Sequence, residues 1–256
     1  MASLGPVRQS AGRAFFIPRC FDRYAVRMDP MVGLILALLP LALALSAALT
    51  WAARAFGRRR ALLDSSGAAG HAKALRPVPN IGGVAIFWAV VAPLLAGLLA
   101  VNTGAAESLL AGTAYSDALA LHAPGIRSQT PAALALLGCL AMLHVVGLLD
   151  DRRALGALPK LIAMLISALV MCVGFDVRML TLLDAVAGGP WLSILVTVLW
   201  FVVITNAMNF MDNMDGLAAG VGAISGSLFL AATLINGQWF VAAVLEISFA
   251  VDFDIL

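Results

Sequence analysis

The stretch NAMNFMDNMDGLAAG, residues 206–220, lies between two apolar runs long enough to cross a membrane. It sets Asn206, Asn209, Asp212 and Asp215 at three-residue intervals. On a helix, residues three apart share a face, so polar groups stand in step where a greasy segment meets water. The apolar runs on either side decide the fold. The polar step decides where to look for chemistry.

Working outward, the rest of the chain is equally apolar. Hydrophobic residues make up 62% of it and charged residues 12%, against about a half and a quarter in an ordinary soluble domain. That imbalance predicts an integral membrane protein. Runs near twenty residues suit a helix crossing about 30 Å of hydrocarbon, whereas the alternating strands of an outer-membrane barrel are missing. The expected fold class is all-α, a polytopic bundle of transmembrane helices. Six complete spans are placed near 32–53, 82–101, 131–149, 160–175, 191–208 and 217–235, with a partial seventh beginning near Trp239. Cys20, Cys139 and Cys172 are odd in number and lack ligand spacing, so neither a disulfide framework nor a metal site is built from them. A net charge of +2 is too small to mark a nucleic-acid partner.

Lys and Arg in short loops set the orientation. Arg54, Arg58, Arg59, Arg60, Lys73 and Arg76 follow the first span, and Arg152, Arg153 and Lys160 follow the third. The second and fourth spans are followed by Arg127 and Arg178 alone. The first, third and fifth loops are therefore expected on the cytoplasmic face. Residues 1–27 disagree, since Arg8, Arg13, Arg19, Arg23 and Arg27 would stand outside. The simplest reading is a basic leader over 1–30 from a mis-assigned start, with translation beginning at Met28 or Met31. A transmembrane domain then occupies 31–256. A genuine basic tail is the alternative.

The three loops on that face carry the unusual polar signals: RPVPNIGG at 76–83, LLDDRRALGALPK at 148–160, and the stretch quoted above. Asp150 and Asp151 sit where the third span ends, while Asp212 and Asp215 share a helix face. Gathered together, these carboxylates repel. One pair at about 6 Å costs nearly 3 kcal/mol at an effective dielectric of about 20. A divalent cation relieves that cost, and an all-oxygen ligand set suits Mg²⁺ or Mn²⁺ alongside phosphate oxygens. Pro77 and Pro79 hold the first loop extended, and Gly82 and Gly83 allow close backbone approach where a helix start meets an anion. Lys160 opens the fourth span, placed to meet a phosphate. The pieces point to metal-assisted phosphate chemistry at a membrane surface.

Each signal alone has a plainer account. Asp150–Asp151 ends a span in water, and Asn206 and Asn209 serve as interhelical glue. His144, seven residues before Asp151, reads as packed between helices rather than catalytic. DNMDG fails as a calcium loop because its twelfth position is Ala223. A secondary transporter would show inverted repeats and broken helices near the midplane, and no repeat is visible. What outweighs these readings is the conjunction of three motifs, in order, on one face.

Taken together, these residues resemble the polyprenyl-phosphate N-acetylhexosamine-1-phosphate transferases, glycosyltransferase family 4. The family pattern N-x-x-N-x-x-D-x-x-D-G-L is met by Asn206, Asn209, Asp212, Asp215, Gly216 and Leu217, with Asn213 in place of the usual Gly. Its Asp-Asp with a downstream Lys is met by Asp150, Asp151 and Lys160. Its P-x-P-x-x-G-G is met by Pro77, Pro79, Gly82 and Gly83, a form closer to the WecA and TagO branch than to the peptidoglycan branch. His71 and Lys73 match the family's upstream His and basic residues only with shifted spacing. The resemblance covers about residues 60 to 235.

It implies transfer of N-acetylhexosamine 1-phosphate from a UDP-N-acetylhexosamine to undecaprenyl or another polyprenyl phosphate, releasing UMP and starting a cell-envelope polysaccharide. Asp150, Asp151, Asp212 and Asp215 are then catalytic, with Mg²⁺ (Mn²⁺ as alternative) on Asp150, Asp151 and Asp215. Asn206, Asn209, Lys160, Pro79, Gly82 and Gly83 bind substrate. The family continues through further spans, an M-G-D element and a His-containing loop, whereas this sequence ends at Leu256 with Glu246, Asp252 and Asp254 breaking its last apolar run. The expectation is a C-terminally truncated product, and an inactive membrane fragment is the rival reading.

Overall fold

A computed structural model describes residues 30–59, 82–153, 155–211, 216–238 and 241–248. Helix α1 (Pro30–Arg59) is followed by α2 (Gly82–Asn102), the short α3 (Ala105–Leu110) and the long α4 (Ser116–Arg152). Next come α5 (Ala157–Leu169), which ends in one π-helical turn at Val170–Gly174, and the short α6 (Leu183–Ala187). Two further long helices, α7 (Trp191–Met211) and α8 (Leu217–Ile235), precede helical residues 241–248. Among the described residues there is no strand. A hydrocarbon interior explains this, because a spanning segment must satisfy its backbone polar groups within itself.

Among the described residues, five helical stretches are long and apolar enough to cross a membrane: Gly83–Asn102, Ser116–Arg152, Ala157–Gly174, Trp191–Met211 and Leu217–Ile235. Helix α1 contributes a shorter described apolar stretch, Pro40–Phe56. With α1 and residues 241–248, the element order follows the expected spans. The protein is a multi-pass, all-α membrane protein. The basic leader, Trp239, Asp252 and Asp254 lie outside the described residues.

One boundary needs correcting. The third span, expected over 131–149, belongs to a helix that begins at Ser116 and runs for 37 residues, about 56 Å at 1.5 Å per residue. His122, Pro124, Arg127, Ser128, Gln129 and Pro131 make residues 116–131 read as a loop. Packing overrides that impression: Leu119 and Ala123 are buried against Val101 of α2. Arg127 reaches back as well, donating from Nε (3.0 Å) and Nη2 (2.8 Å) to the Val101 carbonyl at the end of α2. The chain reverses beside it at Gly104, whose φ of 76° suits glycine.

Neighbouring spans pack antiparallel, and named contacts fix their direction. Asn102, ending α2, donates 2.9 Å to Thr130 Oγ1 early in α4, while Gly83, starting α2, lies beside His144 late in α4. Between them Val91, Leu98, Ala133 and Leu137 form a buried cluster. Helices α5 and α7 meet through Ala168, Cys172 and Val198. Ile247 packs on Ala42 of α1, with Leu94 of α2 alongside. Large apolar side chains such as Leu121, Trp200 and Leu228 remain exposed, the surface a helix bundle presents to lipid.

Candidate active site

Antiparallel packing gathers one set of helix ends. Gly83 at the start of α2 touches α4 near its end, and α4 ends beside the start of α5. Two turns into α5, Met164 receives Asn206 from the last turns of α7. The first turn of α2, the end of α4, the start of α5 and the end of α7 therefore share one end of the bundle. These are the helix ends that flank the three polar loops.

The connection from α4 to α5 is the most fully described part. Asp150 accepts two hydrogen bonds across it: Oδ1 from the Leu155 backbone N–H at 3.0 Å, and Oδ2 from Lys160 Nζ at 2.6 Å. The intervening turn passes through Gly156 at φ 77°, a backbone state that an L side chain rarely adopts. Both partners of the ion pair are partly exposed, Lys160 at 38% and Asp150 at 27% of the side chain, so solvent and ligands reach them. Asp151, Arg152 and Arg153 are exposed beside it. The Lys160 contact is a feature that the sequence reading missed. The available signal for it is a short glycine turn between antiparallel helices.

Asn206 donates from Nδ2 to the Val202 carbonyl at 2.8 Å and to Met164 Sδ at 3.4 Å, so its amide joins α7 to α5. Asn209 is exposed one turn further along, and α7 ends at Met211. Asp212 and Asp215, together with Pro77, Pro79, His71 and Lys73, lie outside the described residues. Gly82 and Gly83 open α2, with Gly83 exposed. His144 is half-buried and stacks flat on Phe87, as expected of a histidine packed between helices.

Among the described residues, the carboxylates at this end are the adjacent Asp150 and Asp151. One is braced by a lysine and a backbone N–H, and the other is open. Two such carboxylates fit the hard-oxygen set that Mg²⁺ takes beside phosphate oxygens. A cavity of about 750 Å³ lies elsewhere, along α4 between Ile126 and Leu143 and walled by Met171, Cys172 and Phe201. Among the described residues no Asp, Glu, Lys or Arg lines it, so no fixed cation there counters a diphosphate.

On the far side of the bundle, Arg178 joins the turn after α5 to α7. Its guanidinium donates to Asp176 Oδ1 (2.7 Å), Asp184 Oδ2 (2.6 Å) and Ser193 Oγ (2.7 Å). The Ser193 hydroxyl and the Arg178 guanidinium hold the Asp184 carboxyl below the usual carboxylate range. This cluster secures the opposite loop.

Comparison with known proteins bears on the same helices. Residues 133–253 match the family described as Glycosyl transferase family 4. A probable undecaprenyl-phosphate N-acetylglucosaminyl 1-phosphate transferase of Bacillus subtilis (strain 168) is 31% identical over 167 residues, 63% of this chain and 38% of that protein. A decaprenyl-phosphate N-acetylglucosaminephosphotransferase of Mycobacterium tuberculosis (strain ATCC 25618 / H37Rv) is 35% identical over 156 residues, 58% of this chain and 33% of that protein. A phospho-N-acetylmuramoyl-pentapeptide-transferase of Limosilactobacillus fermentum is 29% identical over 116 residues, 42% of this chain and 36% of that protein. The chain thus spans about a third of the length of the curated relatives it matches. No solved structure matches it.

Proposed function

We propose, for a chain whose residues 133–253 match glycosyl transferase family 4, that it takes part in transferring N-acetylhexosamine 1-phosphate from a UDP-sugar to a membrane polyprenyl phosphate. The observation that carries this reading is the convergence of helix ends through Gly83–His144, Asp150–Lys160 and Met164–Asn206. It brings an ammonium, exposed carboxylates and an exposed asparagine to one face, as a nucleotide diphosphate and a lipid phosphate both require. N-acetylglucosamine is the favoured sugar, because the Pro77–Gly83 element has the form of the branch that excludes the peptidoglycan enzymes.

In the reaction, an oxygen of the lipid phosphate forms a bond to the phosphorus that carries the sugar. The bond from that phosphorus to the oxygen bridging the two phosphates breaks, and UMP leaves with the bridging oxygen. The nucleophile is already ionised at neutral pH, so the task is to bring two anions together. Lys160 supplies positive charge at the start of α5, and Asp150 keeps it aimed through the 2.6 Å contact. Asp212 and Asp215 follow α7 in sequence, three and six residues after Asn209, and with it are assigned to the nucleotide-sugar side. Asp150, Asp151 and Asp215 are the oxygen donors assigned to Mg²⁺. When bound, Mg²⁺ neutralises charge on the diphosphate.

The Lys and Arg distribution supports a cytoplasmic site on the bacterial inner membrane, where UDP-sugars are available. The test is UMP release by the chain in liposomes. Release requiring UDP-N-acetylglucosamine, undecaprenyl phosphate and Mg²⁺ together supports the reading. Release that is absent, or indifferent to the lipid phosphate, sinks it.

A further inference from the structure

The imidazole of His144 lies flat on Phe87 of α2, with ring centroids 4.4 Å apart and planes inclined by 4°. Phe87 meets Trp88 edge-on at 5.6 Å. A Cβ built on Gly83 would sit 3.9 Å from His144 Cε1, so the ring also lies against the first turn of α2. Gly83 and Phe87 are four residues apart and share a helix face. The imidazole occupies that face: its edge lies within contact reach of the Gly83 position, and Phe87 supports its plane. On α4, His144 stands seven residues before Asp151, two turns less about 20° on the same face.

Other named ties between α2 and α4 lie further away. Asn102–Thr130 and Arg127–Val101 join them at the opposite end, and the Val91–Leu137 cluster fills the middle. At the carboxylate end the described contact runs through His144. We propose that His144 is a positioning residue for the transfer reaction. Its ring clamps the Gly82–Gly83 start of α2 onto the segment of α4 that presents Asp150 and Asp151. The inference rests on the reading of the site given above. It makes the stack, and not the ring nitrogens, the working part, and it assigns Phe87 to the same unit. A clamp two turns from the reacting groups acts on the rate of the bound complex, because small misplacements of reacting groups are costly.

The experiment compares His144→Ala, His144→Phe, Phe87→Ala and the double variant His144→Ala/Phe87→Ala in liposomes. UMP release is measured across UDP-N-acetylglucosamine concentrations and normalised to folded protein. The wild-type chain and Asp151→Asn run alongside. The clamp predicts that His144→Ala lowers kcat on the order of ten-fold or more, with KM within about three-fold. His144→Phe keeps the stack and restores most of the rate. Phe87→Ala matches His144→Ala, and the double variant falls no further, as residues acting as one unit are non-additive.

Wild-type kcat per folded His144→Ala molecule overturns the proposal, and so does a His144→Phe variant as slow as His144→Ala. If His144→Ala does not fold, Phe87→Leu and His144→Phe carry the same comparison. Absent wild-type UMP release, or an Asp151→Asn variant as fast as wild type, means that the reading of the site itself has failed and the proposal falls with it. An active wild type that loses activity in Asp151→Asn isolates any failure to His144.

Discussion

Lys160 Nζ lies 2.6 Å from Asp150 Oδ2 and ties the first turn of α5 to the last turn of α4. A partly exposed ion pair of this kind contributes at most about 1 kcal/mol to stability. Its value is placement: it fixes one carboxylate and one ammonium at the bundle end where Asp151 is open.

Replacing Lys160 should therefore damage transfer far more than folding. Lys160→Met is expected to change stability by less than about 1 kcal/mol. UMP release should fall on the order of ten-fold or more, since a hydrogen bond to a charged group is worth about 1.5–3 kcal/mol. Lys160→Arg should recover part of the rate. Thermal unfolding and initial rates on the same preparations separate the two effects.

Metal removal provides a second check. EDTA should abolish UMP release and added Mg²⁺ should restore it. Asp151→Asn should raise the Mg²⁺ concentration for half-maximal rate by about ten-fold or more, the range seen when groups around a metal are altered. A Mg²⁺ titration of both proteins gives the answer directly.

The two asparagines should separate. Both are exposed, but Asn206 already donates to Val202 and Met164, and Asn209 lies one turn nearer the end of α7. Asn206→Ala should cost about 0.6 kcal/mol of stability, typical of an interhelical polar contact. Asn209→Ala should leave stability unchanged and raise KM for the UDP-sugar more than Asn206→Ala does. The opposite ranking of KM values would contradict the placement.

At the far loop, a pH dependence follows from Asp184. The neighbouring Ser193 hydroxyl and Arg178 guanidinium hold its carboxyl below the ordinary range, so its stabilising contribution is fully present above the unfolded value, about 4. It is lost as pH falls through the lower folded value. Thermal stability should depend little on Asp184 between pH 7 and pH 5. Below about pH 4, wild type should lose stability faster than Asp184→Asn.

The helical spans were legible because a membrane leaves an apolar run few alternatives. Leu, Val and Ala over twenty residues announce a spanning helix. The start of α4 was not legible, because Pro124, Arg127 and Gln129 mimic a loop. What keeps that segment helical is Leu119 and Ala123 buried against Val101, a contact across distant sequence. The shared face of the three polar loops followed from counting crossings, and the helix directions agree with it. The Asp150–Lys160 pair and the stack of His144 on Phe87 were hidden for another reason. Both are long-range matches of shape and charge that no local period encodes. The polar position of Asn206 near the end of its span was clear, yet its bond to Met164 was not, since sequence does not say which helix lies alongside.

The measurement that tests the central claim most directly follows a single phosphorus atom. UDP-N-acetylglucosamine labelled with ³²P on the sugar-bearing phosphate is incubated with the chain, undecaprenyl phosphate and Mg²⁺. Transfer of sugar 1-phosphate predicts label in the lipid extract and unlabelled UMP in the aqueous phase, both lost in Asp151→Asn. Label retained in UDP, or a lipid extract without label, would contradict the account.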